Sequence, residues 1–363
     1  LRICIYGAGA SGGHFAVRLA LAGHDVSVIA RGAHLAAIKE NGLLLRTGAE
    51  TLSARIAASD NPAPFGPQDV VIVATKATAL PALAPQIGPL IGEDTLVVFP
   101  QNGMTWWYPV GLPSSHPKPP AIPIFELAKP FLAAMRPDQV IGGIIYSANE
   151  VEAPGVIKNN SPAHNRMEIA AIGDSSTHSR DGGNPATDSV PPLSHGRADT
   201  PERIVKIRQA FEHAGILSPD PGDIRAAVWT KLVNNMSGST IGLATASPSD
   251  GARKDAALSE IYRRVMREGL SIAAAHGYRL DLDPDRMLAR LLNHKASLLQ
   301  DYEQHRPMEI AEIVLAPVAF ARAANIATPT LDTIAAIVTK LARDRGLLPA
   351  DISGPSLSPA KGG

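Results

Sequence analysis

Gly7-Ala8-Gly9-Ala10-Ser11-Gly12 stands directly after the apolar run Arg2 to Tyr6 and opens a helix-like stretch from Ser11 to Ala22. The order strand, glycines, helix gives this spacing its chemical meaning. Gly7 permits the tight turn off a strand, and Gly9 lets the backbone approach a pyrophosphate. Gly12 lets the helix lie close on the sheet, with its N-terminal N–H groups aimed at the anion. With Ala10 these residues are candidates for dinucleotide binding; the plainer alternative is an ordinary glycine-rich turn. The next strand, His24 to Ala30, bears on which dinucleotide is held. An NAD site carries Asp or Glu at its end, whereas here Ala30 is followed by Arg31-Gly32-Ala33-His34. A guanidinium with no acid beside it grips a phosphate through paired hydrogen bonds, so Arg31 favours NADP(H) over NAD(H). A solvated loop arginine is the alternative.

Proton chemistry has separate candidates. Lys76 follows the apolar run Asp69 to Ala74, and Asn102 follows the run Thr95 to Pro100. Carboxyl ends of strands in open α/β sheets face the ligand crevice, so both residues are placed to meet cofactor or substrate. A surface lysine and a common Asn-Gly turn fit the same letters. Further on, Lys231, Asn235 and Ser239 recur every fourth residue. On a helix they form one polar stripe, leaving Trp229, Leu232, Val233 and Met236 to pack. If Lys231 faces a closing cleft, desolvation and neighbouring charge tune its ammonium toward proton transfer. Ser297 in SLLQD and Glu309 in RPMEI add a hydroxyl and a carboxylate. Pro307 suits a first helical turn, which puts Glu309 near a helix N-terminus, where a dipole or capping role is the alternative.

These residues need a scaffold. Alternating strand-like and helix-like segments run to about residue 175, with strands at 69–74, 95–100, 139–151 and 167–172 and a crossover helix over 77–92. That alternation predicts an α/β fold: an N-terminal Rossmann-type dinucleotide-binding domain with a mainly parallel sheet. Helix-like segments near 203–214, 223–243, 255–276, 284–304, 308–324 and 329–345 predict an all-helical C-terminal domain. The expected division is 1–202, 203–346 and a flexible tail over 347–363. A mobile insertion is expected near 174–199, and the Pro-rich stretch 109–123 excludes helix and central strand. The chemistry is expected where the two domains meet.

Composition excludes several classes. The chain has 363 residues, enough for two domains, with Lys plus Arg and Asp plus Glu both at 34. No charge imbalance draws it to nucleic acid or an acidic membrane. Cys4 is the single cysteine, so no intrachain disulfide forms; its place in the first strand marks a small buried residue. No signal peptide precedes the first strand, and no apolar run reaches spanning length, so a cytoplasmic protein is expected. No metal site is expected.

Taken together, GAGASGG, ARGAHLAAIKENGLLL, ATKA, FPQNG, EVEAPGVIKNN, DIRAAVWTKLVNN, HKASLLQD and RPMEI resemble the ketopantoate reductase (2-dehydropantoate 2-reductase) family over roughly 2–345. The resemblance implies NADPH-dependent reduction of a 2-oxo acid, ketopantoate, to pantoate, on the way to pantothenate and coenzyme A. It implies pyrophosphate binding by Gly7, Gly9 and Gly12, 2′-phosphate binding by Arg31, and Lys76 and Asn102 lining the cofactor–substrate cleft. It makes Lys231 the catalytic lysine, Asn235 and Ser297 substrate contacts, and Glu309 the substrate-binding glutamate. Ser239 occupies the place of the family's second asparagine, Ala311 the place of an Asp, and Met104 to Tyr108 belongs to a branch with a longer loop. Ser239 is shorter than an amide and donates differently, which leaves the identity of the 2-oxo acid open. Two other readings remain open, as does a homodimer. One is a reductase of the same architecture acting on a different substrate, such as a 3-hydroxyacid or opine-type dehydrogenase; opine-type chemistry leans on a histidine beside an acid, and no such pair stands out here. The other is a non-catalytic NADP-binding sensor acting through the insertion.

Overall fold

The computed structural model describes residues 1–173 and 199–349. The insertion expected near 174–199, apart from its last residue, and the chain beyond residue 349 lie outside them.

Eleven strands occur among the described residues: β1 (Arg2–Tyr6), β2 (Asp25–Ile29), β3 (Leu43–Thr47), β4 (Glu50–Ala54), β5 (Ala57–Ser59), β6 (Val70–Val73), β7 (Leu96–Phe99), β8 (Val140–Ile145), β9 (Asn149–Ala153), β10 (Val156–Asn159) and β11 (Met167–Ala171). Seven of them form one sheet in the order β11-β8-β7-β6-β1-β2-β5. All neighbours are parallel except β8 and β11. The strands β6 and β7, VVIV and LVVF, are buried throughout, as continuous apolar runs of a sheet covered on both faces must be. Strand order reverses between β1 and β6, so the carboxyl ends of these two strands flank the ligand-binding crevice of a doubly wound sheet. Cys4, in the middle of β1, is buried, and burial pushes its thiol up to about 12, which makes it inert.

Two expected elements of this unit require correction. The strand predicted over 139–151 is two strands in different sheets: β8 joins the large sheet, and β9 joins a four-stranded sheet ordered β4-β3-β10-β9. That second sheet was not read from the sequence, because its strands are four or five residues of weak alternation. Gly13 lets the helix Ala10–Leu21 approach it, since a Cβ there would stand 2.6 Å from Ile157. The predicted crossover helix over 77–92 is a chain of short turns, Ala77–Ala79, Leu80–Leu83, Ala84–Gln86 and Gly88–Leu90. Pro81, Pro85 and Pro89 each remove an N–H donor and clash with the preceding turn.

The chain forms two compact units. The first comprises Leu1–Gln101, Val110–Pro113 and Leu127–Ile224; the second comprises Asn102–Pro109, Ser114–Glu126 and Arg225–Gly363. The proposed division at 202/203 therefore moves. The helix Thr200–His213 belongs with the sheet, because Ile204, Ile207 and Phe211 bury their side chains in the same core as Phe15. Asn102–Pro109 and Ser114–Glu126, which include most of the Pro-rich stretch, join the helical unit, where Tyr108 stacks on Phe125 and meets Phe320 edge-on.

The second unit is built on the helices Ile224–Thr245, Ala256–Ala275, Ala316–Ala323 and Pro329–Asp344. Asp255 caps the second of these by accepting the Leu258 N–H at 2.9 Å. Asp255→Ala should lower stability by about 1 kcal/mol, read from denaturant melts. The helix predicted over 284–304 is two, Pro284–Ala289 and Ser297–Glu303. The one predicted over 308–324 opens as a π-helical turn, Ala311–Leu315. Leu347, assigned to the tail, is buried, and its carbonyl accepts the Met308 N–H at 3.0 Å. No described helix is long and apolar enough to cross a membrane.

Candidate active site

The glycine turn is held from below and left open above. Gly7 and Ala8 donate their N–H groups to the Ile29 carbonyl at the end of β2, at 3.0 and 3.2 Å. Gly7 has φ +102°, and a Cβ there would stand 2.6 Å from the Thr75 methyl. At Gly12 a Cβ would overlap the Gly7 carbonyl oxygen and lie 2.9 Å from Ala74. Gly9 is different: a Cβ there would meet nothing within 4 Å. Gly9 also caps the helix Ala10–Leu21, with no side-chain cap and no acid in the first turn, so the helix N–H groups stay available. A pyrophosphate fits that combination of open space, unshielded donors and positive helix end.

Arg31 sits one strand over, exposed, in extended backbone at the start of the helix Gly32–Asn41. Burial raises the Tyr6 phenol at the end of β1 above its ordinary value, and the nearby Arg31 cation offsets part of that rise. The first turn after Arg31 contains no acid. His34, which the sequence reading carried only as part of the ARGAH motif, turns out to brace the cradle. It accepts the Gly155 N–H at Nδ1 (3.0 Å), which puts the proton on Nε2, and Nε2 donates to the Ala8 carbonyl at 2.7 Å.

Lys76 follows β6 and is half-buried in extended backbone ahead of the turn Ala77–Ala79. Gln101, at the end of β7, donates to the carbonyls of Val73 at 2.6 Å and Thr75 at 3.2 Å, tying the ends of β6 and β7 together. The chain then passes to the second unit at Asn102. Asn102 is half-buried, and Gly103 turns with φ +78°. Met104 donates its N–H to the Glu312 carbonyl at 2.9 Å. Trp106, Trp107 and Tyr108 are buried; the Tyr108 hydroxyl accepts the Trp229 indole N–H at 3.0 Å, and its carbonyl accepts Arg225 Nε at 2.9 Å.

Within this second unit the helix Ile224–Thr245 carries the polar stripe. Trp229, Leu232, Val233 and Met236 are buried, and the ladder from Lys231 to Asn235 to Ser239 runs from half-buried to 7% exposed. Asn234 is occupied elsewhere, donating to the Thr230 carbonyl at 2.9 Å. Ser297 is exposed at the start of the helix Ser297–Glu303. Glu309 is 4% exposed and directly precedes the helical turns, so Pro307 lies before the helix and not in its first turn. The loop between Ser297 and Glu309 is closed by Arg306, whose Nε meets the buried Asp301 carboxylate at 3.1 Å. The first unit thus holds Gly7, Gly9, Ala10, Gly12, Arg31 and Lys76. The second holds Asn102, Lys231, Asn235, Ser239, Ser297 and Glu309.

Comparison with known proteins agrees with both halves. The model for ketopantoate reductase PanE/ApbA matches residues 3–107, and that for the ketopantoate reductase PanE/ApbA C terminal matches residues 223–342. The chain belongs to the ketopantoate reductase family. It is 34% identical over 352 residues to a 2-dehydropantoate 2-reductase of Mesorhizobium japonicum, covering 95% of this chain and 99% of that one. A candidate ketopantoate reductase of Ralstonia solanacearum MolK2 shares the fold with a TM-score of 0.79 at 30% identity, over 95% and 99% of the two chains. A D-mandelate dehydrogenase solved with NADH and anilino(oxo)acetate shares the fold alone, with a TM-score of 0.76 at 19% identity over 96% and 100%. The C-terminal family match begins at residue 223, beside the boundary between the two units at Ile224 and Arg225. As a ketopantoate reductase family chain it is an oxidoreductase acting on a CH–OH group. Sequence motifs do not single out Glu312, one position after Ala311, which stands where the resemblance implies an Asp.

Proposed function

We propose that this chain uses NADPH to reduce a 2-oxo acid to the 2-hydroxy acid, with 2-dehydropantoate (ketopantoate) to pantoate as the leading pair. The reading carries with it a cytoplasmic place in pantothenate and coenzyme A biosynthesis. The observation that carries it is the half-buried Lys231, set on the same helical ladder as Asn235 and Ser239 above a sealed apolar face. When bound, the nicotinamide supplies the hydride to the carbonyl carbon. Lys231 then has two tasks: its ammonium stabilises the negative charge gathering on the carbonyl oxygen, and it delivers the proton that completes the hydroxyl. Asn235, Ser239 and Ser297 offer hydrogen bonds that orient the substrate, and the Glu309 carboxylate accepts from its hydroxyl. The open space at Gly9 takes the pyrophosphate, with Ala10 opening the helix behind it. Lys76 and Asn102 complete the contacts to the dinucleotide.

Arg31 sets the cofactor in this reading. A charge-assisted hydrogen bond is worth about 1.5–3 kcal/mol, so Arg31→Ala should raise KM for NADPH by about 10- to 100-fold. Its KM for NADH should stay where it was. Steady-state absorbance assays with both dinucleotides read this directly.

The test of the whole proposal is NADPH oxidation with ketopantoate against a panel of 2-oxo acids, repeated with NADH. Turnover on ketopantoate with NADPH preferred supports it; cofactor binding without turnover on any 2-oxo acid defeats it in favour of a sensor. A second substrate reading has one specific observation behind it. Where the family resemblance implies an asparagine this chain has the shorter Ser239, and Trp106 and Trp107 lie in the same unit. A higher kcat/KM for a bulkier or more branched 2-oxo acid would select that reading.

A further inference from the structure

Glu312 lies on the π-helical turn Ala311–Leu315, three residues after Glu309, and is 7% exposed. Its Oε2 has no hydrogen-bond partner among the described residues. Its backbone is the seat of the Asn102 turn. The Glu312 carbonyl accepts the Met104 N–H at 2.9 Å, and a Cβ at Gly103 would stand 2.7 Å from Glu312 Cβ and 2.8 Å from its oxygen. Glu312 therefore joins the turn that carries Asn102 to the turn that follows Glu309. π-Helical turns inside longer helices are concentrated at functional sites, because they trade regular packing for the placement of one side chain.

Glu309 and Glu312 are both buried and three residues apart, and their charges repel one another when both are ionised, which favours a proton on one of them. Burial raises the Glu312 carboxyl from 4.5 to about 8, and the Glu309 charge adds to that rise. The segment Asn102 to Trp107 that packs on Glu312 contains no ionisable side chain, so no cation on that side reverses the effect.

We propose that Glu312 is a positioning residue for Glu309: it holds the proton of the buried carboxyl pair, leaves Glu309 as the ionised member, and pins the Asn102 turn in place. The catalytic consequence rests on the reading above in which Glu309 holds the substrate; the assignment of the proton does not. A 2-oxo acid is itself an anion. As pH rises past about 8, Glu312 ionises and adds a second negative charge beside Glu309, so substrate binding weakens. KM should rise before kcat falls.

The test pairs wild type with Glu312→Gln, which keeps the shape and cannot ionise. Wild-type kcat/KM should show an alkaline decline centred near pH 8 and carried by KM, and the variant should lose that decline while keeping its activity near neutral pH. A decline unchanged in the variant belongs to another group, such as the Lys231 ammonium, and overturns the proposal. Melting temperatures give a readout free of catalysis. A folded-state pKa raised above the unfolded value stabilises fully below pH 4.5, and this stability is lost as pH rises to about 8. The wild type should therefore lose stability relative to the variant across that window; parallel curves overturn the assignment. If the variant fails to fold, infrared spectra of the wild type decide. A protonated-carboxyl band present at pH 7 and gone well above pH 8 supports the proposal, and no such band at pH 7 defeats it. Should the wild type turn over no 2-oxo acid yet show these signatures, the catalytic reading fails and the proton assignment stands.

Discussion

Lys231→Ala is expected to lower kcat by about 10²- to 10⁴-fold, the usual contribution of a positioned proton donor. NADPH binding should persist. The residue sits on the helix Ile224–Thr245, in the second unit, whereas the glycine cradle and Arg31 belong to the first. In the proposed reading, removing the ammonium leaves the dinucleotide contacts intact but takes away the charge that would meet the developing oxyanion. A lysine needed only for packing would show a different pattern, with lost stability and modest loss of rate. Steady-state turnover, fluorescence titration of NADPH and a melting curve on one preparation separate the two. Turnover equal to wild type removes Lys231 from the mechanism. Lys231→Arg keeps a cation but moves it and donates a proton far less readily, so it should bind substrate and still turn over slowly.

Gly12→Ala and Gly9→Ala should part company in the same assays. At Gly12 an added methyl overlaps the Gly7 carbonyl oxygen and stands 2.9 Å from Ala74 Cβ and 3.0 Å from Ile5 Cγ2. Those atoms belong to backbone and to a packed strand, so the helix Ala10–Leu21 must lift off the sheet. Overpacking of this kind costs about 1–3 kcal/mol, and the shift would carry the helix N–H groups away from the proposed pyrophosphate site. Both the melting temperature and NADPH affinity should fall. At Gly9 the methyl enters open space, so the melting temperature should hold while NADPH affinity drops by at least about tenfold, or 1.4 kcal/mol. Equal NADPH affinity in Gly9→Ala and wild type would mean that the pyrophosphate does not approach this turn.

Much of the scaffold was legible because its signals are local. β1 with its glycines, the Arg31 turn, the two apolar strands before Lys76 and Asn102, and the long helix bearing Lys231 each announce themselves within a dozen residues. Steric rules for glycine and the period of a helix act over that distance, so no distant contact is needed to read them. The prolines at 81, 85 and 89 are equally local: each removes an N–H donor, so the crossover over 77–92 forms short turns and not one helix.

The rest depended on partners far away in the chain. The second sheet pairs β3 with β10 across more than a hundred residues, and neither short strand names its partner locally. The helix Thr200–His213 looked like the start of the helical unit until its apolar face met Phe15 and the sheet core. His34 gained its role only when Gly155 came within hydrogen-bond reach. For Glu312 the letter alone was mute: a glutamate ordinarily lies in solvent, and this one is buried, with the Gly103 turn packed against its backbone. Sequence alone determined which chemical groups the protein has and the local backbone that displays them. Tertiary packing decided which of those groups are dry, and therefore which protons they keep, because desolvation is set by everything that covers a side chain and not by its neighbours in the chain.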